Sequence, residues 1–581
     1  MRMASPAPPS TDVYQVVPLR RVPAKFSILD YNLGRASDRP NLGEIVAIPF
    51  GKSTIQGVVW AKGPSPGTQT FSRKSFTVSK TRQSLTPQQL ALARWLTRET
   101  LTPPNVVALA MPPGPTQFSG APQPSRSPIG ILAARLEERE KVIESFSKRH
   151  TDAGVTFVLI PALPYSEQWL RAFGNTVVLL HGRLTAAQRR KAIQKVAQAR
   201  VIVSTGVGLG SPLPRIHHLI IDQADDDGYF AFDQAPRVDL RRTAQALGKL
   251  HGAALTLLAR WQSPTLQGIF PEAQWRGGEA TLPLTVIDRT GEPGPERAVN
   301  VATALLPKLT PGRTLWLVNR RSEAGRLECQ DCGATVACPQ CGQVLRVQRE
   351  RGSLQLHCEK DNLTTAVPEQ CANCRGARLT PRGRGVQAVA ADLRAHLGGS
   401  VATLDAQHPL TSPTATHVVA TTAIANELAQ RFQRVVLVQT ESFLFPGQYR
   451  GTEEFFTTLA LAQQHLVAEG ETFCQTFSAD QPILQGNRSA VVAADLLTRS
   501  QLHYPPLGTL IVLTPRNGRT NRGAPLPEKL QREASQQWTV TMTPHQWVVR
   551  SSNNQRSQLL AFLQHLDPGW QATVDPPDLP A

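Results

Sequence analysis

No stretch of the 581 residues approaches the roughly 20 consecutive apolar residues that a membrane-crossing helix needs, which excludes a membrane partner of the spanning kind. The Pro-rich start MRMASPAPPS has no apolar core of the type a secretory signal carries, so the chain reads as cytoplasmic. Cysteine is almost confined to one place: seven of the eight fall between Cys329 and Cys374, and Cys474 alone stands outside, as a small buried hydrophobe would. In a reducing compartment that clustering excludes a disulfide framework and points to metal. Carboxylates are scarce against 62 Lys+Arg, at 44 Asp+Glu, giving a net charge of +18. Residues 1–114 hold 14 basic and 5 acidic side chains, so about half of the excess sits in a fifth of the chain. Such a bias favours a polyanionic partner, and nucleic acid above others. No internal repeat is present, which sets aside repeat architectures.

The length is too great for one hydrophobic core, and 41% apolar with 18% charged residues describes several globular domains. Residues 12–111 begin with short β-rich runs, EIVAIPF, GKST and IQGVVW, that predict a small β-domain. A helix follows, announced by the capping box of Thr86 and Gln89, Pro87 at the first helical position and a Leu85/Leu90 staple, and it is expected to run to about Arg98. Residues 112–128 are a linker by composition. From 129 to 275 charged helical stretches alternate with apolar runs such as VTFVLI, ARVIVS and HHLIID, which predicts a parallel sheet in a first α/β lobe. A second lobe starts at 276–325, is interrupted at 326–380 by the cysteine block, and resumes over 381–495. Residues 496–581 read as a small α+β domain.

Cys329-x-x-Cys332, Cys338-x-x-Cys341 and Cys371-x-x-Cys374 each present two thiolates from a tight turn, the arrangement tetrahedral zinc requires. One four-cysteine site follows. A second is incomplete: Cys358 is the seventh cysteine, with Asp361 three residues later where a further knuckle would place its partner. Asp361 can supply an oxygen ligand and His357 a nitrogen, and both stay open.

Two α/β lobes on a basic chain suggest a nucleic-acid translocase, yet the phosphate cradle GxxxxGK[ST] is missing. Gly51-Lys52-Ser53 is the only GK[ST], with Val46 at the leading glycine position and a strand expected after it, so no helix N-terminus stands behind the loop. Gly206, Gly208 and Gly210 have no following lysine.

The cysteine block in its setting, LVNRRSEAGRLECQDCG through CPQC to PEQCANC, resembles the family of primosomal protein N′, PriA, with its NRRGY, CxxCG, CPxC and PxxCPxC phrases. TVVLLHGRLTAAQR is similar to the family's LHSGLSxxER, HHLIIDQADDDGYFAFDQAPR to its LIIVDEEHDSSYKQDxxPRY, YPPLG to YPPF, and TVDPPDL to the closing DVDPxxL. The resemblance implies a multidomain α/β fold: two helicase-like parallel-sheet lobes with a zinc-binding insertion, an N-terminal β-rich domain and a C-terminal α+β domain. It implies further that Cys329, Cys332, Cys371 and Cys374 share one ion, while Cys338, Cys341 and Cys358 with Asp361, or alternatively His357, share another. LDY and IPFG are similar to the family's FDY and VPFG, where a small domain grips a 3′ end. The DNA-binding residues carried over are Asp30, Gly51 and Lys74. Leu29 replaces a stacking phenylalanine, a contact worth about 1–3 kcal/mol per base, so weaker selectivity for 3′ ends is expected. Trp95 matches a tryptophan that docks the tail of single-strand DNA-binding protein, and Glu99 replaces a tyrosine one turn on.

The family's motor parts have no counterpart. LAARLEEREKVIESF, without a glycine, stands in place of the phosphate loop. The DEEH box is Asp222-Gln223-Ala224-Asp225, SATPS reads Leu258-Ala259-Arg260-Trp261-Gln262-Ser263-Pro264, and neither GTQM nor the arginine-finger phrase QVAGRAGR is found; nor is the winged-helix segment. The expectation is a pseudo-helicase: a restart protein that binds forked or single-stranded DNA and recruits single-strand DNA-binding protein and restart or helicase-loading proteins. It uses zinc, without ATP, magnesium or catalytic residues. The alternatives are an active ATP-dependent 3′-5′ helicase with a divergent nucleotide site and a non-specific zinc-ribbon scaffold.

Overall fold

The computed structural model describes residues 13 to 579 except 34–38, 64–73, 77–82, 115–126, 150–153, 278–283, 294–298, 310, 320–325, 333, 341–343, 351–352, 359–360, 362, 383–384, 398, 405–413, 423–427, 429, 445–447, 486, 516–537, 543–545 and 565–568. Most of the linker expected at 112–128 thus lies outside the described residues, as does Cys341. The chain divides into two units: Met1–Leu132 with Glu140–Gly277 and Leu497–Pro580, and Ala133–Arg139 with Gly278–Leu496.

The first unit opens with a five-stranded sheet in the order Ile45–Phe50, Ser53–Lys62, Val13–Pro18, Leu29–Leu33, Lys74–Phe76, antiparallel except for its last pair. Both faces are buried, because neighbours in sequence point opposite ways. Val16, Val46, Ile48 and Val59 join Tyr14 and Tyr31 in one small core. Val17, Ile45, Val58 and Trp60 face a larger one that also holds Leu90, Leu92 and Leu96. These leucines lie on the helix Pro87–Thr100, which extends past the expected Arg98 and ends at Leu101 in left-handed conformation, φ 53°. Its start follows the capping-box geometry: Gln89 N–H donates to Thr86 Oγ1 at 3.1 Å, and Thr86 N–H to Gln89 Oε1 at 2.9 Å. Leu85 and Leu90 are both buried.

The same core continues into a seven-stranded sheet, all parallel, in the order Gln274–Arg276, Ile129–Leu132, Ala254–Ala259, Ile216–Asp222, Val155–Leu159, Val201–Ser204, Val177–Leu180. Gln89 ties helix to lobe, since its amide donates to the carbonyls of Pro112 at 2.9 Å and Gly210 at 2.8 Å. The unit also contains a four-stranded antiparallel sheet, Thr539–Met542, Trp547–Ser552, Gly508–Pro515, Trp570–Val574, whose core includes Leu559, Leu560 and Leu563 of the helix Arg556–Leu563.

The second unit is built on a six-stranded parallel sheet, Leu284–Asp288, Leu466–Thr476, Phe432–Leu437, Thr314–Val318, His417–Thr421, Val401–Leu404. Between Thr314–Val318 and Val401–Leu404 the chain leaves this sheet to form a five-stranded antiparallel one: Leu363–Ala366, Ser353–Cys358, Arg346–Glu350, Arg326–Cys329, Leu379–Arg382. The strands on either side of the excursion are thus part of one sheet, as an insertion requires. Cys474 is fully buried on Leu466–Thr476, where burial pushes its thiol up to about 12. Among the described residues no helix is long and apolar enough to cross a membrane. The two parallel-sheet lobes with separate antiparallel domains make a multidomain α/β protein.

Because Gln89 satisfies three backbone groups at once, Gln89→Leu should cost about 1–3 kcal/mol per group left unpaired. Hydrogen exchange should accelerate at Thr86 and across the lobe loop around Gly210, while amides of the six-stranded sheet keep wild-type rates.

Candidate functional site

Antiparallel pairing of Arg326–Cys329 with Leu379–Arg382 sets Cys329 opposite Leu379 and so brings the first and last knuckles together. Cys329, Cys332, Cys371 and Cys374 have all their sulfurs within 4.8 Å of one another, with Cys329 to Cys374 and Cys332 to Cys371 each 3.6 Å. Four thiolates about 2.3 Å from a tetrahedral zinc would stand about 3.8 Å apart, so the cluster fits that ion. The turns are locked from outside: Arg378 Nε donates to Asp331 Oδ1 at 2.8 Å, and the N–H groups of Asn373 and Gly376 point at Cys371 Sγ and Cys374 Sγ, each at 3.4 Å. Amides aimed at sulfur favour the thiolate over the thiol.

A second cluster gathers Cys338, Cys358 and Asp361, with Asp361 Oδ2 3.2 Å from Cys338 Sγ and 3.7 Å from Cys358 Sγ. A sulfur and an oxygen on one tetrahedral zinc stand about 3.5 Å apart, so this donor set fits as well. Both clusters can hold a metal ion. Strand alternation decides between Asp361 and its rival: His357 precedes Cys358 on a strand, so its side chain takes the other face. There its Nδ1 lies 3.2 Å from Thr364 Oγ1. His357 therefore does not join the cluster.

At the carboxyl end of the strand Ile216–Asp222, every carboxylate is occupied. Asp222 is fully buried and accepts the indole N–H of Trp169 at 2.7 Å, while its main-chain carbonyl accepts the Tyr229 hydroxyl. Gln223 follows in left-handed conformation, φ 51°. Asp225 gives both oxygens to Arg260, accepting its backbone N–H and its Nε, each at 2.8 Å. Arg260 reaches Asp226 as well, 3.2 Å from Nη2 to Oδ2, and Tyr165 donates to the same oxygen at 3.3 Å. Burial pulls the Arg260 guanidinium down, but Asp225, Tyr165 and Asp226 outweigh it and hold it above its ordinary value. Asp226 goes the other way, raised because burial outweighs Arg260. Sequence reading missed this knot. Its one signal is that Arg260 follows the apolar run Ala254–Ala259, a strand paired with Ile216–Asp222 so that Leu258 stands beside Asp222.

The first strand of the lobe, Ile129–Leu132, runs into the helix Leu136–Arg149 through only Ala133–Arg135. Glu137 and Glu138 occupy the first helical turn, and Glu138 Oε2 accepts the Arg135 N–H at 3.2 Å. A glutamate carboxylate thus takes the capping role at this helix N-terminus. The glycines of the Thr205–Ser211 loop have packing reasons instead: a Cβ on Gly208 would lie 2.2 Å from Ser204 Oγ, and one on Gly206 2.6 Å from the Leu240 side chain.

In the N-terminal sheet, Tyr31 connects the three DNA-binding candidates. It follows Asp30 on the same strand, pairs in register with Lys74, and donates its hydroxyl to the carbonyl of Pro49 at 2.9 Å, two residues before Gly51. Burial lifts the Tyr31 phenol to about 12, so it stays a donor. Gly51 sits in the turn before Ser53–Lys62 at φ +60° with open space where a Cβ would be, which makes backbone conformation the reason for glycine. Trp95 is partly buried against the shared core, and Glu99 accepts Arg556 Nη2 at 3.1 Å.

Comparison with known proteins agrees with these features. Residues 17–113 match the family model of the PriA 3′ DNA-binding domain (3′BD). Replication restart protein PriA of Synechocystis sp. is 24% identical over 407 residues, covering 61% of this chain and 48% of that protein. Probable replication restart protein PriA of Deinococcus radiodurans is 26% identical over 367 residues, covering 57% and 39%. Over about 60% of its length the chain is thus similar to PriA proteins. It spans about half or less of the length of these two PriA relatives. Among solved structures, S. cerevisiae Dbp5 bound to RNA and ADP BeF3 is 12% identical with a TM-score of 0.35, covering 71% of this chain and 90% of that one, a likeness too slight to carry an argument.

Removing one member of a buried ion pair strands the other, at a cost of about 3–5 kcal/mol. Arg260→Ala should therefore lower the thermal midpoint of the first unit sharply, whereas Arg171→Ala, which ends an exposed i,i+4 pair with Glu167, should leave it within about 0.5 kcal/mol of wild type.

Proposed function

We propose that this chain is a replication-restart protein that binds stalled forks or branched DNA and recruits single-strand DNA-binding protein and restart or helicase-loading proteins, without hydrolysing ATP or unwinding DNA. The restart assignment is supported by the PriA relatives and by the 3′ DNA-binding match over residues 17–113. One observation carries the pseudo-helicase part: Arg260 occupies both oxygens of Asp225, in the box where the family holds magnesium and activates water. A guanidinium tethered to the backbone cannot exchange for a hydrated divalent ion without leaving three buried charges unmatched. The short connection Ala133–Arg135 and the glutamates in the first turn of the helix after it support the same reading from the phosphate side.

DNA contact is assigned to the N-terminal domain, with Asp30, Gly51 and Lys74 around Tyr31, and to the zinc insertion. Zinc would be held by Cys329, Cys332, Cys371 and Cys374 in one site, and by Cys338, Cys358 and Asp361, with Cys341 as the remaining family ligand, in the other. Its contribution is structural, fixing the knuckle turns so that the insertion folds.

The purified chain should bind forked DNA yet show no ATP turnover above background with single-stranded DNA and magnesium. Turnover that copurifies with the chain and is lost in Asp222→Asn would make it a divergent helicase instead.

Metal analysis should return two zinc ions per chain, with the site containing Asp361 releasing first to a chelator because it has at most three thiolates. Asp361→Ala should reduce the content to one, and His357→Ala should leave it at two. The opposite pattern would reassign the ligand.

A further inference from the structure

The connection between the strands Val13–Pro18 and Leu29–Leu33 reads Leu-Arg-Arg-Val-Pro-Ala-Lys-Phe-Ser-Ile, which holds three cations and no acid. Its ends are used for packing: Leu19 and Ile28 lie against the larger core of the unit, and Leu29, the first residue of the next strand, against the smaller. Phe26 differs. At 38% exposure it is the one exposed aromatic side chain among the described residues. The backbone holds it in place. Phe26 closes the 3-10 turn Ala24–Phe26, where its N–H donates to the Pro23 carbonyl at 2.9 Å and the Ser27 N–H to that of Ala24 at 3.0 Å. Upstream, the wholly buried Asn105 donates its amide to the carbonyls of Arg20 at 3.1 Å and Val22 at 3.4 Å. A ring carried on a turn so fixed loses little further freedom when a partner covers it.

The surroundings of the ring are cationic. Arg20, Arg21 and Lys25 are exposed, and Lys25 Nζ stands 5.0 Å from the Phe26 ring centroid, so the π-face already attracts positive charge. The connection also has a defined place on the domain. Val16 pairs with Leu29 where it begins, and the Leu19 N–H donates to the Gln56 carbonyl at 2.9 Å, so it leaves the sheet at the end where the turn at Gly51 and Lys52 lies. We infer that Phe26 is a stacking platform for an unpaired base of DNA, with Arg20, Arg21 and Lys25 on the phosphates to either side of that base. The inference rests on the DNA-binding reading above and gives the N-terminal domain a contact that recognises single-stranded character. A ring between cations matches the alternation of base and phosphate along a strand, and stacking is indifferent to sequence because every base has a π-face. A duplex hides those faces within its own stack. Lys25, on a long exposed stem, can yield the ring to a base and keep its charge for the neighbouring phosphate.

The test uses the full-length chain and its variants Phe26→Ala, Phe26→Leu and Phe26→Trp. Binding to a single strand, to a blunt duplex of the same length and to a strand of abasic sites is followed by fluorescence anisotropy between about 50 and 200 mM salt. Phe26→Ala and Phe26→Leu should weaken binding to the single strand by about 5- to 100-fold and leave the duplex as in wild type. Their log–log salt slope should not change, because a stack releases no counterions, and Phe26→Trp should bind the single strand at least as tightly as wild type. On the abasic strand Phe26→Ala and wild type should bind alike. The triple variant Arg20→Gln, Arg21→Gln, Lys25→Gln should instead flatten the single-strand slope by about 2, roughly 0.7 for each phosphate no longer neutralised. Should Phe26→Ala lower the thermal midpoint, Phe26→Leu, which keeps the apolar bulk, decides. Wild-type affinity for the single strand in both variants overturns the inference, including where they lose only the capacity to bind single-strand DNA-binding protein, since the ring would then be a protein contact. An equal loss on single strand, duplex and abasic strand overturns it as well. Wild-type chain that bound no DNA of any form would bring down the DNA-binding reading itself.

Discussion

A carboxylate withdrawn from water has to meet a cation or hydrogen-bond donors, and in the first unit that demand fixes everything at the carboxyl end of the central strand. Asp222 is met by the Trp169 indole, Asp225 by Arg260, and Asp226 by Arg260 and Tyr165. Nearby, Asp239 is met by Arg241, which also donates to the carbonyl of Ala224. Asp225 and Asp226 share Arg260 as counter-ion and Asp239 has Arg241, and buried ion pairs of this kind are far more expensive to break than to omit. A nucleotide site works in the opposite way, keeping acidic groups that a dissociable ion and its water complete. Supplying the cation as a side chain makes the lobe's order independent of any ligand.

The insertion meets a similar problem of size rather than of charge. Its core of fully buried residues is Leu327, Leu345 and Leu356 with two cysteines, Cys338 and Cys358. So few apolar side chains cannot offset the ordering of five strands, and small modules of this kind take folding energy from metal. The two clusters divide that work: one clamps the ends of the sheet through Cys329 and Cys371, the other joins Cys338 to the strand end at Cys358.

Much of this was legible in the sequence because the signals were local. Thr86 and Gln89 three residues apart, with Pro87 between them, announced a helix start that the backbone follows, and apolar runs separated by charged stretches announced parallel sheets. Paired cysteines announced knuckles. What stayed open depended on register. The choice between Asp361 and His357 turns on Ser353–Cys358 being a strand, and SLQLHC does carry the sign: Leu356 and Cys358 share one parity and are buried, whereas Gln355 and His357 share the other. Arg260 was harder to see. Nothing near it is acidic, and its partner Asp225 lies 35 residues earlier, reached only because two parallel strands end level with each other.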